Sequence, residues 1–197
     1  MTRLTRVVDR GAIVAAYVGI GMAATIAISF LLVIPIEIVF LLLGFPAGLL
    51  IGYYANARAE RDGGPIGRIV VNGLFAAAVT AVTMALLYVG VKALFFAADN
   101  GYRDASVGPP LTCQPGAACV FARYQADPQL GPRLAAAGVT DVASFTSFYW
   151  GEQTSNAGNV IVLTLAGGLG GALAFAAARR RPVDSARASG AGDPTRA

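Results

Sequence analysis

Charge is missing from this chain in long blocks. Between Arg10 and Arg58 the only charged residue is Glu37, between Arg68 and Asp99 the only one is Lys92, and between Glu152 and Arg179 there is none. A run of about 20 apolar residues matches the hydrocarbon thickness of a bilayer. The first block is too long for one span and contains Pro35, so it divides into helices over about 11–34 and 38–56. The other two blocks predict helices over about 67–97 and 156–178. Charged residues make up 13% of the 197 residues and hydrophobic residues 56%, too little charge to cover the surface of a soluble domain. The expected fold class is all-α: a polytopic membrane protein with four transmembrane helices and a small external helical insert between helices three and four. Disordered and nucleic-acid-binding classes are excluded, because the basic residues are not interleaved with aromatics in a patch.

The N-terminus has some features of a signal peptide. Arg3, Arg6 and Arg10 precede an apolar stretch, and Ala23–Ala27 offers small residues for cleavage. The stretch is longer than an ordinary signal core and a second span follows at once, so a retained helix is expected.

The basic residues sort by side. Arg3, Arg6, Arg10, Arg58, Arg61, Arg68, Arg179, Arg180, Arg181, Arg187 and Arg196 fall on one side. Lys92, Arg103, Arg123 and Arg133 fall on the other. The positive-inside rule places residues 1–10, the 57–68 loop and the tail 179–197 in the cytoplasm. The loop holds the turn Asp62-Gly63-Gly64-Pro65. The tail is polar and expected to be disordered. Arg179–Arg181 read as a stop-transfer cluster suited to anionic headgroups. Arg greatly outnumbers Lys, which points to a GC-rich prokaryote and its plasma membrane.

Association of helices in lipid depends on close packing at small residues. Each predicted span carries a row of them at every fourth position, which is one helix face. The rows are Ala15, Gly19, Ala23, Ala27; Gly44, Gly48, Gly52; Gly73, Ala77, Ala81, Ala85; and Ala166, Gly170, Ala174, Ala178, with Gly167 and Gly171 alongside. These faces are expected to line the bundle interior. Gly44–Gly48–Gly52 carries the most information, because glycine weakens a helix and needs a packing reason to be there. Pro46 is expected to kink the second helix.

Glu37, in the turn between helices one and two, and Lys92, late in helix three, fall near the outer interface. Long side chains there reach headgroups by snorkelling, so interfacial placement is expected, with an ion pair as the candidate functional arrangement. Thr25, Ser29, Asn72, Thr80, Thr83, Asn159 and Thr164 are mild polar groups in the spans, their hydroxyls expected to bond to the preceding turn.

The segment 99–155 holds both cysteines. Gln114-Pro115-Gly116 makes a turn between Cys113 and Cys119 that can bring the thiols together. A disulfide is expected outside the cytoplasm, the alternatives being free thiols in the opposite orientation or a metal site, which two Cys without His serve poorly. Helices are predicted over 117–125, over 134–138 with Gly138 as terminator, and over 141–150 capped by Thr140. Phe145, Phe148, Tyr149 and Trp150 are expected to anchor that last helix on the outer leaflet.

The chain has no His, which removes His-dependent catalytic triads and most zinc chemistry. Gly167-Gly168-Leu169-Gly170-Gly171 resembles a nucleotide loop but lies in an uncharged apolar stretch, where helix packing explains it. No cofactor is expected and no catalytic role. The expected role is an accessory or assembly protein that binds membrane proteins, or itself, within the lipid bilayer. A small-solute channel or transporter is the alternative, and an outer-leaflet enzyme acting on lipid or quinone a weaker one.

Overall fold

A computed structural model describes residues 8–29, 36–59, 64–98 and 113–179. Its six helices are α1 (Arg10–Ser29), α2 (Ile36–Ala57), α3 (Ile66–Ala98), α4 (Ala117–Ala126), α5 (Leu130–Ala136) and α6 (Val142–Arg179). The described residues contain helices and turns and no strand. α1, α2, α3 and α6 are long and apolar enough to cross a membrane, and they pack into one bundle. One end carries Asp9, Arg58, Arg68 and Arg179 and is called the basic end below. The other carries α4 and α5 and is called the insert end. The turn around Pro35, residues 60–63, residues 99–112 and the tail 180–197 lie outside the described residues.

Small residues set the spacing of the helices. A Cβ at Gly48 would overlap the Thr164 carbonyl oxygen, and one at Gly52 the carbonyl of Gly168. From the other side, a Cβ at Gly167 would overlap the Phe45 carbonyl and one at Gly171 the Leu49 carbonyl. α2 and α6 therefore touch backbone to backbone along a reciprocal glycine seam. Gly44 is looser, with Thr164 Oγ1 at 3.3 Å from the site of its missing Cβ. The rows of α1 and α3 also face inward: Ala15, Gly19, Ala23 and Ala27 are buried, as are Gly73, Ala77, Ala81 and Ala85. Outside the bundle stand Tyr17, Ile28, Leu42, Leu50, Val162 and Leu86, the apolar surface that lipid requires.

The row expected for the last helix is corrected. Ala166, Ala174 and Ala178 are exposed and Gly170 has open space beside it. The buried face is Val160, Thr164, Gly167, Gly168, Gly171, Ala172 and Ala176. The reason is geometric. Gly167 and Gly171 admit α2, and next to them Gly168 admits Ala77 of α3. Only the face with adjacent glycines lets two neighbouring helices approach at once.

α6 also corrects the division of the chain at 155. The predicted helices over 141–150 and 156–178 are one helix of 38 residues, about 57 Å long. Residues 151–156 contain no proline, and one glycine costs only about 1 kcal/mol, too little to break a helix packed on both sides of it. The segment carrying Phe145 to Trp150 thus continues the axis of the last span. Its cap is Asp141 rather than Thr140. Asp141 Oδ1 accepts the Ser144 N–H at 2.7 Å and Ser144 Oγ accepts the Asp141 N–H at 3.1 Å, a reciprocal box that a threonine one residue earlier cannot close. α2 runs unbroken through Pro46. α5 ends at Gly138, whose φ of 69° lets Val139 N–H reach the Leu134 carbonyl at 2.9 Å.

Candidate functional site

The polar side chains of the bundle gather at its two ends. At the insert end Glu37 lies in the first turn of α2, not in the preceding turn, where its charge suits the helix dipole. Lys92 of α3 donates to Glu37 Oε2 at 2.7 Å. The candidate pair is thus formed, with the lysine side chain 14% exposed and the glutamate 31%. One helical turn earlier, Tyr88 is fully buried, and the Lys92 ammonium sits 6.0 Å from its ring centroid. The Tyr88 hydroxyl donates to Gln153 Oε1, and Asn156 Nδ2 donates to it at 3.4 Å. Phe40 of α2 packs its ring 5.6 Å from that of Tyr88. A clasp of five polar residues therefore ties α2, α3 and α6 together.

Sequence reasoning found Glu37 and Lys92 and missed Tyr88, Gln153 and Asn156. Tyr88 and Lys92 are four apart, and Gln153 and Asn156 three apart, so each pair shares a helix face. The second pair was hidden by the division of α6 at just those residues.

At the basic end a second cluster forms. Arg68 Nε donates to Asp9 Oδ2 at 3.1 Å and its Nη2 to Oδ1, a two-pronged pair. Asn72 Nδ2 donates to Asp9 Oδ2 at 2.9 Å, and the Asp9 N–H donates back to Asn72 Oδ1 at 3.0 Å. Asn56 of α2 donates to the carbonyls of Gly52 and Ile69, each at 3.0 Å. None of these links was read from the sequence, which used Arg68 to bound a span and to set the orientation and took Asn72 as a mild polar group in a span.

Between the two ends the interior is apolar and small. Thr80 and Thr164 are fully buried, and their hydroxyls donate to Ala76 and Val160 of their own helices at 2.9 and 2.7 Å. Those bonds leave no hydroxyl aimed at a passing solute. Among the described residues no group of three or more His, Cys, Asp or Glu could hold a metal ion.

α4, α5 and the first turns of α6 enclose a separate small core of Val120, Phe121, Leu134, Val139, Phe145 and Tyr149. Cys113 and Cys119 lie at disulfide distance, Cα to Cα 5.4 Å, at the start of α4. Phe145 is fully buried and Tyr149 nearly so, against Phe121, Tyr124 and Phe96. Those two rings fill this core instead of reaching headgroups, which corrects their reading as anchors. Phe148 and Trp150 are half-buried at its margin. Their spacing explains the difference: residues 145 and 149 share the face turned to α4. Burial pushes the Tyr124 hydroxyl up from its ordinary pKa, so it stays protonated. Arg133 of α5 donates to Glu152 of α6 at 2.8 Å across the same contact.

Comparison with protein-family models, curated proteins and solved structures finds no match to this chain.

Proposed function

We propose that this chain is an integral membrane accessory or assembly protein, without catalysis or cofactor of its own, that binds partner membrane proteins. The observation that carries this reading is the glycine seam between α2 and α6. Backbone meets backbone at Gly48, Gly52, Gly167 and Gly171, and the polar groups lie at the two ends. A bundle closed in its middle supports a scaffold better than a conduit. Its outer faces, rich in exposed Leu, Ile and Val, and its small insert core are what a partner would meet.

The same reading places the bundle in a prokaryotic plasma membrane with the basic end and both termini in the cytoplasm. Among the described residues Arg10, Arg58, Arg68 and Arg179 face Asp9 alone at that end. At the insert end Lys92, Arg123 and Arg133 stand with Glu37, Asp127, Asp141 and Glu152. This asymmetry fits the positive-inside rule. On this reading Cys113 and Cys119 lie in an oxidising compartment, where a disulfide persists. Isolation from native membranes in mild detergent tests the role. A partner membrane protein eluting with the chain at fixed stoichiometry is expected, and elution as the chain alone or as its own oligomer contradicts it.

The clasp that runs from Glu37 and Lys92 inward to Tyr88 favours one second reading, a small-solute channel or transporter. Solute flux in liposomes that Glu37→Gln abolishes would establish that reading against ours.

A further inference from the structure

The basic end carries a feature that packing alone does not require. Asp9 is held by Arg68 and Asn72, so the acid of this end is already compensated. Arg58 and Arg179 remain exposed at the tips of α2 and α6. Neither is splayed at random. The Arg58 guanidinium lies over the Tyr54 ring, 5.6 Å from its centroid. Arg179 Nη2 donates to the Gly64 carbonyl at 3.2 Å, which holds the α6 tip against the segment leading into α3. Further into the same two helices, Tyr53 and Phe175 meet edge to face at 5.6 Å and bridge α2 to α6.

We propose that the basic end is a docking surface for anionic phospholipid headgroups, with Arg58, stacked on Tyr54, and Arg179, held at the Gly64 carbonyl, as the phosphate contacts. Charge complementarity selects the lipid class. Guanidinium groups match phosphate in geometry and charge, and the end as a whole has basic residues in excess. A zwitterionic lipid also brings phosphate, but its ammonium group meets the same arginines with repulsion. The site goes beyond the accessory role and holds whatever partner the chain has.

The test uses the full chain in detergent, with dioleoylphosphatidylglycerol, dioleoylphosphatidylcholine or inorganic phosphate added, and reads thermal unfolding through the single tryptophan, Trp150. Lipid retained on the protein is counted by native mass spectrometry. Phosphatidylglycerol is expected to raise the unfolding temperature and to stay bound, phosphatidylcholine to do so weakly, and phosphate to do neither. In the double variant Arg58→Gln/Arg179→Gln the apparent affinity for phosphatidylglycerol falls by roughly thirtyfold. Arg58→Lys/Arg179→Lys retains most of it, which separates loss of charge from loss of folding. Arg133→Gln, at the insert end, leaves it unchanged. Equal shifts with the two lipids, a full shift with phosphate alone, or equal loss in Arg133→Gln overturns the proposal.

Discussion

Glycine acts in this chain by what it lacks. At Gly48 the space for a Cβ is occupied by the Thr164 carbonyl, which is backbone and cannot swing away. At Gly44, one turn earlier on the same face, the obstacle is a hydroxyl at 3.3 Å. The two positions look identical in sequence and should behave differently. Gly48→Ala is expected to cost about 3 kcal/mol, the upper end of overpacking. Gly44→Ala should lie near neutral, because a better helix former offsets a small shift of Thr164. Thermal unfolding of both variants in one detergent checks the contrast, and equal behaviour would remove the seam from the account. The clasp makes a second residue-level prediction. Tyr88→Phe strands the polar ends of Gln153 and Asn156 inside the bundle and is expected to cost about 1–3 kcal/mol. Tyr149→Phe should cost less, since its hydroxyl only adds a 3.4 Å bond to the Lys92 carbonyl. Unfolding by a denaturing detergent ranks the two.

At the scale of elements, the spans were legible because lipid permits so few solutions. A long uncharged run must become a helix, since an unpaired backbone group in hydrocarbon costs several kcal/mol. Hence α1, α2 and α3 appear where the charges stop. The inward faces of α1, α2 and α3 were legible for a related reason, since rows of small residues admit neighbours. α6 was not. Its outward row of Ala166, Gly170, Ala174 and Ala178 has the same spacing as a packing face, and only the neighbours in space decide between the two. Its continuity past Gly151 was equally hidden, because polarity at 151–156 marks the edge of a membrane, not the end of a helix. The Tyr88–Gln153 bond of the clasp and the Asp9–Arg68–Asn72 cluster join residues more than 50 positions apart. No local pattern announces such a pairing. The start of α6 carries its own test. The Ser144 backbone N–H, then its hydroxyl, hold the Asp141 carboxyl below its ordinary pKa. A depressed folded pKa contributes stability that is fully present above the ordinary carboxylate value and is lost as pH falls through the depressed one. The protection of amides in the first turns of α6, measured as exchange relative to the intrinsic rate at each pH, is therefore expected to fall as pH falls through that range. In Asp141→Asn, which caps without a charge, that component of the pH dependence should be absent.

The molecule as a whole is a bundle with polar groups at both ends and a sealed middle. The ends are built differently. The insert end is locked by an ion pair, a buried tyrosine and a small aromatic core beside Cys113 and Cys119. The basic end is locked by Asp9 and Arg68 and leaves Arg58 and Arg179 outward. Between them, the buried Thr80 and Thr164 hydroxyls bond to their own helices, and the one interior bundle acceptor without a hydrogen bond among the described residues, Asn56 Oδ1, lies at the basic end, so no chain of partners for water crosses the middle. Thr164 marks the centre of that region, fully buried where the α2 and α6 backbones meet. The most direct measurement is therefore the reactivity of a cysteine placed there. In a chain with Cys113 and Cys119 replaced by Ser, Thr164→Cys is treated in membrane vesicles with a water-soluble maleimide, beside Asp141→Cys as the exposed control. The account predicts rapid labelling at 141 and none at 164. Labelling at 164 on the time scale of the control would reveal an aqueous path through the bundle and contradict the sealed interior on which the proposed role rests.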